Sequence, residues 1–354
     1  IFSGRYGPAV NNDGGASNIT TTTATLNADL TTTNGYPTRL YVYWGPTDGV
    51  TDFNSWSNAI DLGINPNGLY QTNLYRLLAK KTYYYRAYAT NAEAVHWAPT
   101  TTNFTTTTAT VQFAATNASG SEVSTPVNVT VSLSATSAVN VAVNYTVAGG
   151  TATNGGVDFT LTNGVVTLTA GLVSTSIAFT VANDFVDEYD ETVVISLSNA
   201  VNGILGAATN HTYSIIDDDS PPVIVYGGAP YAISENGTNR TIAMTLSSAS
   251  EKYISVDYRT SDGSATNGSD YTATNGTATW IAGDTSEKTF LVPITDDADV
   301  ETDETITIAM SNAVNATISG TNTTVTIIDN DGGGRVFFNG DPFTVDESGT
   351  SATV

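Results

Sequence analysis

The chain repeats itself. "NYTVAGGTATNGGVDF" (144–159) is answered by "DYRTSDGSATNGSDY" (257–271), and "NDFVDEYDETVVISLSNAVNG" (183–203) by "DDADVETDETITIAMSNAVNA" (296–316). "YSIIDDD" (213–219) is answered by "VTIIDND" (325–331), so the period is about 113 residues. That is far longer than one turn of a solenoid and suits one β-sandwich domain. A third copy opens at "GGRVFFNGDPFTVDESGTSATV", and residues 1–108, ending in Thr-rich sequence, are a different unit. The expected domains are therefore 1–108, 109–220, 221–332 and the opening strands of a further one at 333–354.

Each unit reads as sheet. "TRLYVYWG", "TYYYRAYAT", "VNVTVSLS", "ISVDYRT" and "TITIAMS" alternate with period two and are broken by Gly, Asn, Asp and Ser. This pattern specifies antiparallel strands with one buried face, and long Ala/Leu/Glu/Lys runs that would build helical layers are missing. The expected fold class is all-β, with tandem immunoglobulin-like β-sandwich domains in an extended string. In "TYYYRAYAT" the tyrosines at 83, 84, 85 and 88 should alternate between core and surface.

Charge narrows the function. Residues 1–108 carry six acidic and six basic groups, whereas 109–354 carry 28 acidic and five basic, which accounts for the whole net charge of −23. Such a field disfavours nucleic acid and anionic membranes as partners. No cysteine is present, so disulfides and thiolate metal sites are excluded. No apolar run approaches the roughly 18 residues of a membrane span. No signal peptide precedes Ile1, and the chain ends read as those of a processed product or fragment.

The acidic residues recur in register. Each complete repeat has an early glutamate (Glu122, Glu235) and an aspartate after "TATNGG" or "SATNGS" (Asp158, Asp270). A long acidic loop follows, and then an acidic strand end at Asp217, Asp218 and Asp219 or at Asp329, Asn330 and Asp331. Loops separated by an even number of strands lie at the same end of a sandwich, so the four elements can converge on one pole. Ca²⁺, which takes six to eight oxygen ligands in flexible geometry, is the cation such loops suit. Zinc would call for His or Cys, and His96 and His211 have no paired ligand nearby in sequence.

The combination "VDYRTSDGSATNGSDY…GTATWIAGD…ITDDADVETDE…VTIIDND" resembles the Calx-beta domain, over about residues 110 to 354. The resemblance implies calcium ligands at Glu235, Asp270, Asp297, Glu301, Glu304, Asp329 and Asp331, with a backbone carbonyl from Asp299. In the first repeat it implies Glu122, Asp158, Asp184, Glu188, Glu191, Asp217, Asp218 and Asp219, with the carbonyl from Val186. Asn330 stands where the first repeat has Asp218, so the second set should be weaker or less fully occupied. Glu347 in the third copy matches Glu235 without the other ligands. Residues 1–108 resemble a fibronectin type III-like module of large exported bacterial proteins, on "TTATLNADLTTTNGYPTRLYVYWG" and "YRLLAKKTYYYRAYATNAEAVHWAPTTTNFTT".

An enzyme is not expected. Glycosidase carboxylates need one acid kept protonated in an apolar pocket, and aspartate clusters beside Gly and Asn do not supply it. No nucleophile elbow or phosphate-binding Gly-rich loop followed by a helix is found. The sequence therefore points to a calcium-binding structural or adhesive segment of a large extracellular surface protein, with a protein or glycan as partner. The alternatives are a subunit of an extracellular filament, its last domain completed by the next copy, and a carbohydrate-binding array using Trp44, Trp56 and Trp97. Sequons at Asn18, Asn103, Asn117, Asn128, Asn144, Asn210, Asn236, Asn239, Asn267, Asn275, Asn315 and Asn322 would allow glycosylation outside the cell.

Overall fold

The computed structural model describes residues 7–332. Among them the regular structure is strand, with one 3-10 turn at Phe53–Ser55. They fall into two compact units: 7–183 with 190–216, and 184–189 with 217–332. The expected third copy at 333–354, including Glu347 and any completion by a neighbour, lies outside the described residues.

The first unit holds two sandwiches. In the N-terminal one, a sheet of Ala9–Asn11, Ala24–Thr32 and Gly68–Leu74 faces a sheet ordered Asn58–Asn65, Thr38–Gly45, Thr82–Thr90, Val95–Trp97. The core between them is Leu26, Leu30, Leu40, Val42, Tyr85 and their neighbours, the residues that the period-two alternation sends inward. Tyr83 and Tyr85 are buried in that core, and Tyr84 is half-buried on the other face. Tyr88, on that outer face, is buried as well because Tyr43, Phe53 and Trp97 pack over it, against the expected alternation with the surface.

The first repeat pairs a sheet ordered Asn117–Ser121, Asn210–Ile216, Glu191–Val201, Val141–Gly150, Gly164–Leu168 with a second five-stranded sheet centred on Val127–Leu133. Its core includes Phe113, Val131, Phe159, Leu168, Ile195 and Tyr213. Ala79, from the loop between Gly68–Leu74 and Thr82–Thr90 of the N-terminal sandwich, belongs to the same core and is fixed by Ala79 N–H to Thr136 O at 2.8 Å and Ala138 N–H to Ala79 O at 3.0 Å.

The second unit repeats this plan. One sheet runs Tyr231–Ser234, Asn322–Ile328, Glu304–Val314, Ile254–Asp262, Asn275–Trp280, and the other Lys288–Pro293, Asn239–Leu246, Val223–Gly227, Thr317–Ile318. Trp280, Tyr271, Ile242, Ile308 and Val325 fill the space between. Each long strand after the acidic loop, Glu191–Val201 or Glu304–Val314, thus lies at the centre of its sheet, with a carboxylate as its first residue.

Candidate metal centre

Strand ends build the acidic pole of the second repeat. Tyr231–Ser234 pairs in parallel with Asn322–Ile328, so the two strands finish side by side. Glu235 N–H then donates to Ile328 O at 2.9 Å, which holds Glu235 against the residues that follow Ile328. One carboxylate oxygen from each of Glu235, Asp329 and Asp331 lies within 4.8 Å of the others. Asp270, Glu301 and Glu304 form a second such group, also within 4.8 Å. Asp270 is set by a tight turn in which Thr266 N–H donates to its Oδ2 at 2.6 Å. Asp297 is hydrogen-bonded through its backbone N–H to the Glu235 carboxylate, and its charge acts on both Glu235 and Glu301. It stands between the two groups.

Like charges crowded this closely hold their protons. Burial, then Asp297, Asp329 and Asp331, push the Glu235 carboxyl above the usual range. Glu301 and Asp331 are raised first by desolvation and then by the surrounding aspartates. Glu304 is raised to about 7, by burial and by its hydrogen bond and charge interaction with Asp270. Asp284 in the same repeat goes the other way: Lys288, at 2.7 Å, holds it down at about 2.

The donor set fits a hard divalent cation. Glu235 is only 4% exposed, and its Oε2, like Asp331 Oδ2, is buried without a hydrogen-bond partner. A buried carboxylate oxygen left this way costs several kcal/mol, roughly, unless a cation satisfies it. Every donor in the two groups is a carboxylate oxygen from a loop or strand end. Such flexible oxygen sets favour Ca²⁺ over Mg²⁺, which demands near-ideal octahedral geometry, and over Zn²⁺, which prefers N and S.

The first repeat builds the same local features. In the first unit, Glu122 is buried and donates its N–H to Ile216 O at 3.3 Å, as Glu235 does to Ile328. Asp158 accepts a short bond from Thr153 N–H, the counterpart of the Thr266–Asp270 turn. Glu191 pairs opposite Ile215 as Glu304 does opposite Ile327. In the second unit, Val186 N–H donates to Asp184 Oδ1 at 2.8 Å, and Asp299 N–H to Asp297 Oδ1 at 2.8 Å. Asp219 N–H bonds Asp217 Oδ1 at 3.3 Å, matching Asp331 on Asp329 at 3.1 Å. Asp219 is raised by burial and then by Asp217, Asp218, Asp184 and Asp187, and its Oδ2 is buried without a hydrogen bond. Glu188 is half-buried and Asp218 exposed. Asn330, where the first repeat has Asp218, spends its Oδ1 on Asn236 N–H at 2.8 Å and so serves the loop.

Sequence reasoning missed Asp187. It is 1% exposed, and its Oδ1 and Oδ2 accept from Lys252 Nζ and Ser250 Oγ, both at 2.8 Å. Lys252 also reaches Asp217 Oδ2 at 3.2 Å, and these bonds hold its pKa above the usual value although burial opposes them. The available clue was that Lys252 is one of five basic residues in the acidic part of the chain.

The three tryptophans do not form one platform. Trp56 is buried, and Trp44 packs inward on Tyr83, on the opposite face of its strand from Tyr43. Trp97 joins Tyr43, Phe53 and Tyr88 in a cluster with ring centroids 4.9–5.0 Å from it. All the sequon asparagines are exposed except Asn144, which is half-buried.

These features define an all-β protein of tandem sandwiches whose acidic poles are built for a hard cation. The sequence matches the Calx-beta domain over residues 105–219 and again over 217–331. The chain belongs to the Calx-beta family and is a non-enzymatic, calcium-binding module. Among solved structures, the apo-form Calx CBD1 domain is 25% identical over 32% of this chain and 100% of that one, with a TM-score of 0.31. The calcium binding domain CBD12 of CALX1.1 is 19% identical over 61% of this chain and 98% of that one, at a TM-score of 0.31. The FN1–FN3 domains of chicken CNTN1 are 11% identical over 91% of this chain and 98% of that one, at a TM-score of 0.24.

Proposed function

We propose that this chain is a calcium-stabilised structural or adhesive segment of a large extracellular surface protein, with a protein or glycan as its partner. The observation that carries the reading is the buried, unpartnered carboxylate oxygen of Glu235 beside Asp329 and Asp331, repeated in kind at Asp219. The ligands are Glu235, Asp270, Asp297, Glu301, Glu304, Asp329 and Asp331 with the Asp299 carbonyl. In the first repeat they are Glu122, Asp158, Asp184, Glu188, Glu191, Asp217, Asp218 and Asp219 with the Val186 carbonyl. The domains are 1–108, fibronectin type III-like, then Calx-beta-like 109–220 and 221–332, with the next opening at 333–354. The exposed sequons and the scarcity of lysine, four in the chain, support an extracellular setting and glycosylation. Calorimetry on metal-free protein should show saturable calcium binding in both repeats; none below several millimolar would refute the reading.

A second reading, carbohydrate binding by the N-terminal sandwich, is favoured only by the cluster of Trp97, Tyr43 and the 45%-exposed Phe53. A glycan array probed with wild type and Phe53→Ala separates it from the first. Loss of a glycan signal in the variant supports it, and no signal in wild type removes it.

A further inference from the structure

The two repeats differ at one internal position that both build in the same way. In the second repeat Tyr231 is 3% exposed, its hydroxyl donates to Gly227 O at 2.7 Å and Ala243 O at 3.3 Å, and Arg240 lies 5.0 Å over its ring. The parallel ladder sets Tyr231 opposite Val325; in the first repeat the same ladder sets Ala118 opposite Tyr213. Phe113 pairs with Val131 as Tyr226 pairs with Met244, which makes Ala114 and Thr130 the counterparts of Gly227 and Ala243. On the edge strand the phenol of Tyr231 is therefore replaced by the methyl group of Ala118, while the ladder partner changes from Val325 to Tyr213, whose ring lines the neighbouring space.

A cavity adjoins Ala118. It measures about 210 Å³ and is lined by Ala114, Ala118, Val127, Val129, Thr130 and His211 among others. Apolar cavities of about 150 Å³ already accept benzene. His211 is 3% exposed; its Nδ1 lies 2.8 Å from Ala115 O, and its Nε2 is buried with no hydrogen-bond partner. With Nδ1–H given to that carbonyl, Nε2 of the neutral ring is an acceptor. The wall thus offers a buried acceptor nitrogen next to apolar methyls, a combination that selects a flat apolar ring carrying one donor. Ala118 comes from strand Asn117–Ser121, the terminal strand of its sheet among the described residues, whose outer backbone groups can pair with a further strand.

We propose that, in chains carrying no glycan at Asn117 and Asn128, this cavity binds a phenol ring, that of a tyrosine side chain carried by a second polypeptide running along the Asn117–Ser121 edge. The hydroxyl donates to His211 Nε2, and the ring lies against Ala114, Ala118, Val127 and Val129. Methyl-resolved NMR of the whole chain with p-cresol and with N-acetyl-tyrosinamide tests it. Both should give saturable shifts at Ala114, Ala118, Val127 and Val129, whereas toluene and N-acetyl-phenylalaninamide should bind about fivefold more weakly for want of the hydroxyl. Ala118→Tyr should supply the ring from within, abolish p-cresol binding and raise the melting temperature. Should that variant fail to fold, His211→Thr, which copies the second repeat at this position, should weaken the two phenols to the level of toluene. No saturable shift with p-cresol at millimolar concentration, or binding unchanged in both variants, overturns the site. Binding of p-cresol without N-acetyl-tyrosinamide overturns the polypeptide as its source.

Discussion

The N-terminal sandwich and the second repeat use carboxylates in opposite ways. In the former Asp61 and Asp52 have donors of their own: Asp61 takes Arg39, and Asp52 takes Ser55 Oγ at 2.6 Å and Asn54 N–H at 3.1 Å, and both are held below the usual range. At the pole of the second repeat the carboxylates have chiefly one another, and Glu235, Glu301, Glu304 and Asp331 are all raised. The same side chains on the same kind of scaffold are thus satisfied by separate donors in one place and crowd against one another in the other. Acidic residues alone do not mark a candidate metal site; carboxylates crowded against one another, with buried oxygens left unbonded, do.

The largest expected effect is that of chelation. A ligand held at a hundred times its Kd stabilises the folded state by about 2.7 kcal/mol per site. Hydrogen exchange after chelation should therefore speed up in Tyr231–Ser234, Asn322–Ile328 and Glu304–Val314, and leave Thr82–Thr90 as it was. Equal loss of protection in all four strands would erase the distinction. Next in size is Glu235→Gln, which removes a charge from the first carboxylate group. It should weaken calcium binding at least tenfold, roughly the scale on which even outer-shell changes act. In metal-free buffer it should leave the melting temperature unchanged or raise it, because repulsion is relieved. Asp284→Asn is the contrast within the same repeat: it breaks the pair with Lys288 and should lower stability equally with and without calcium.

The fold was legible because its cause is local. Alternation with period two placed Tyr83 and Tyr85 in the core, and the recurring "TATNGG" and "SATNGS" turns located Asp158 and Asp270. The carboxylate groups could be expected because their members lie in turns, in the acidic loop or at strand ends, which the topology brings to one pole. Asp187 could not. It lies among visible acids such as Asp184 and Glu188, and only packing against Ser250 and Lys252, more than sixty residues away, makes it a buried ion-pair partner. Asn330 was read by its charge alone, and its bond to Asn236 N–H depends on a neighbouring strand end. The tryptophans failed as a platform for a similar reason: adjacent strand residues face opposite ways, so the identity of Trp44 says nothing about where Trp97 finds partners.

A smaller effect is the pH response. The Glu304 carboxyl is raised from 4.5 to about 7 in the metal-free fold, so the native state binds more protons than the unfolded chain between those values. Stability of the metal-free repeat should then fall as pH rises through that window and be regained on acidification. Asp284, lowered from 3.8 to about 2, works in the opposite sense, its contribution present above 3.8 and lost as pH falls through 2. Calcium requires Glu304 without its proton, so affinity should decline below neutrality. Titrations in buffers of different ionisation enthalpy should show proton release on binding; release of no proton just below neutrality would remove Glu304 from the site.

The smallest expected change is the one that tests the comparison from its other side. Asp61 and Arg39 make a two-toothed pair, but both are exposed, at 39% and 48%, and water competes for every bond they form. Exposed pairs of this kind contribute little, because holding two long side chains in one geometry costs entropy and salt screens the attraction. Asp61 nevertheless caps Gly63 N–H at 2.9 Å, and Asn keeps an oxygen able to accept that bond. Asp61→Asn should therefore move the unfolding midpoint hardly at all, by the same amount with calcium and with chelator, and the small difference should vanish in high salt. A calcium-dependent shift in this variant, measured by thermal denaturation under both conditions, would mean that the neutral sandwich also senses the metal and that the division between satisfied and crowded carboxylates is drawn in the wrong place.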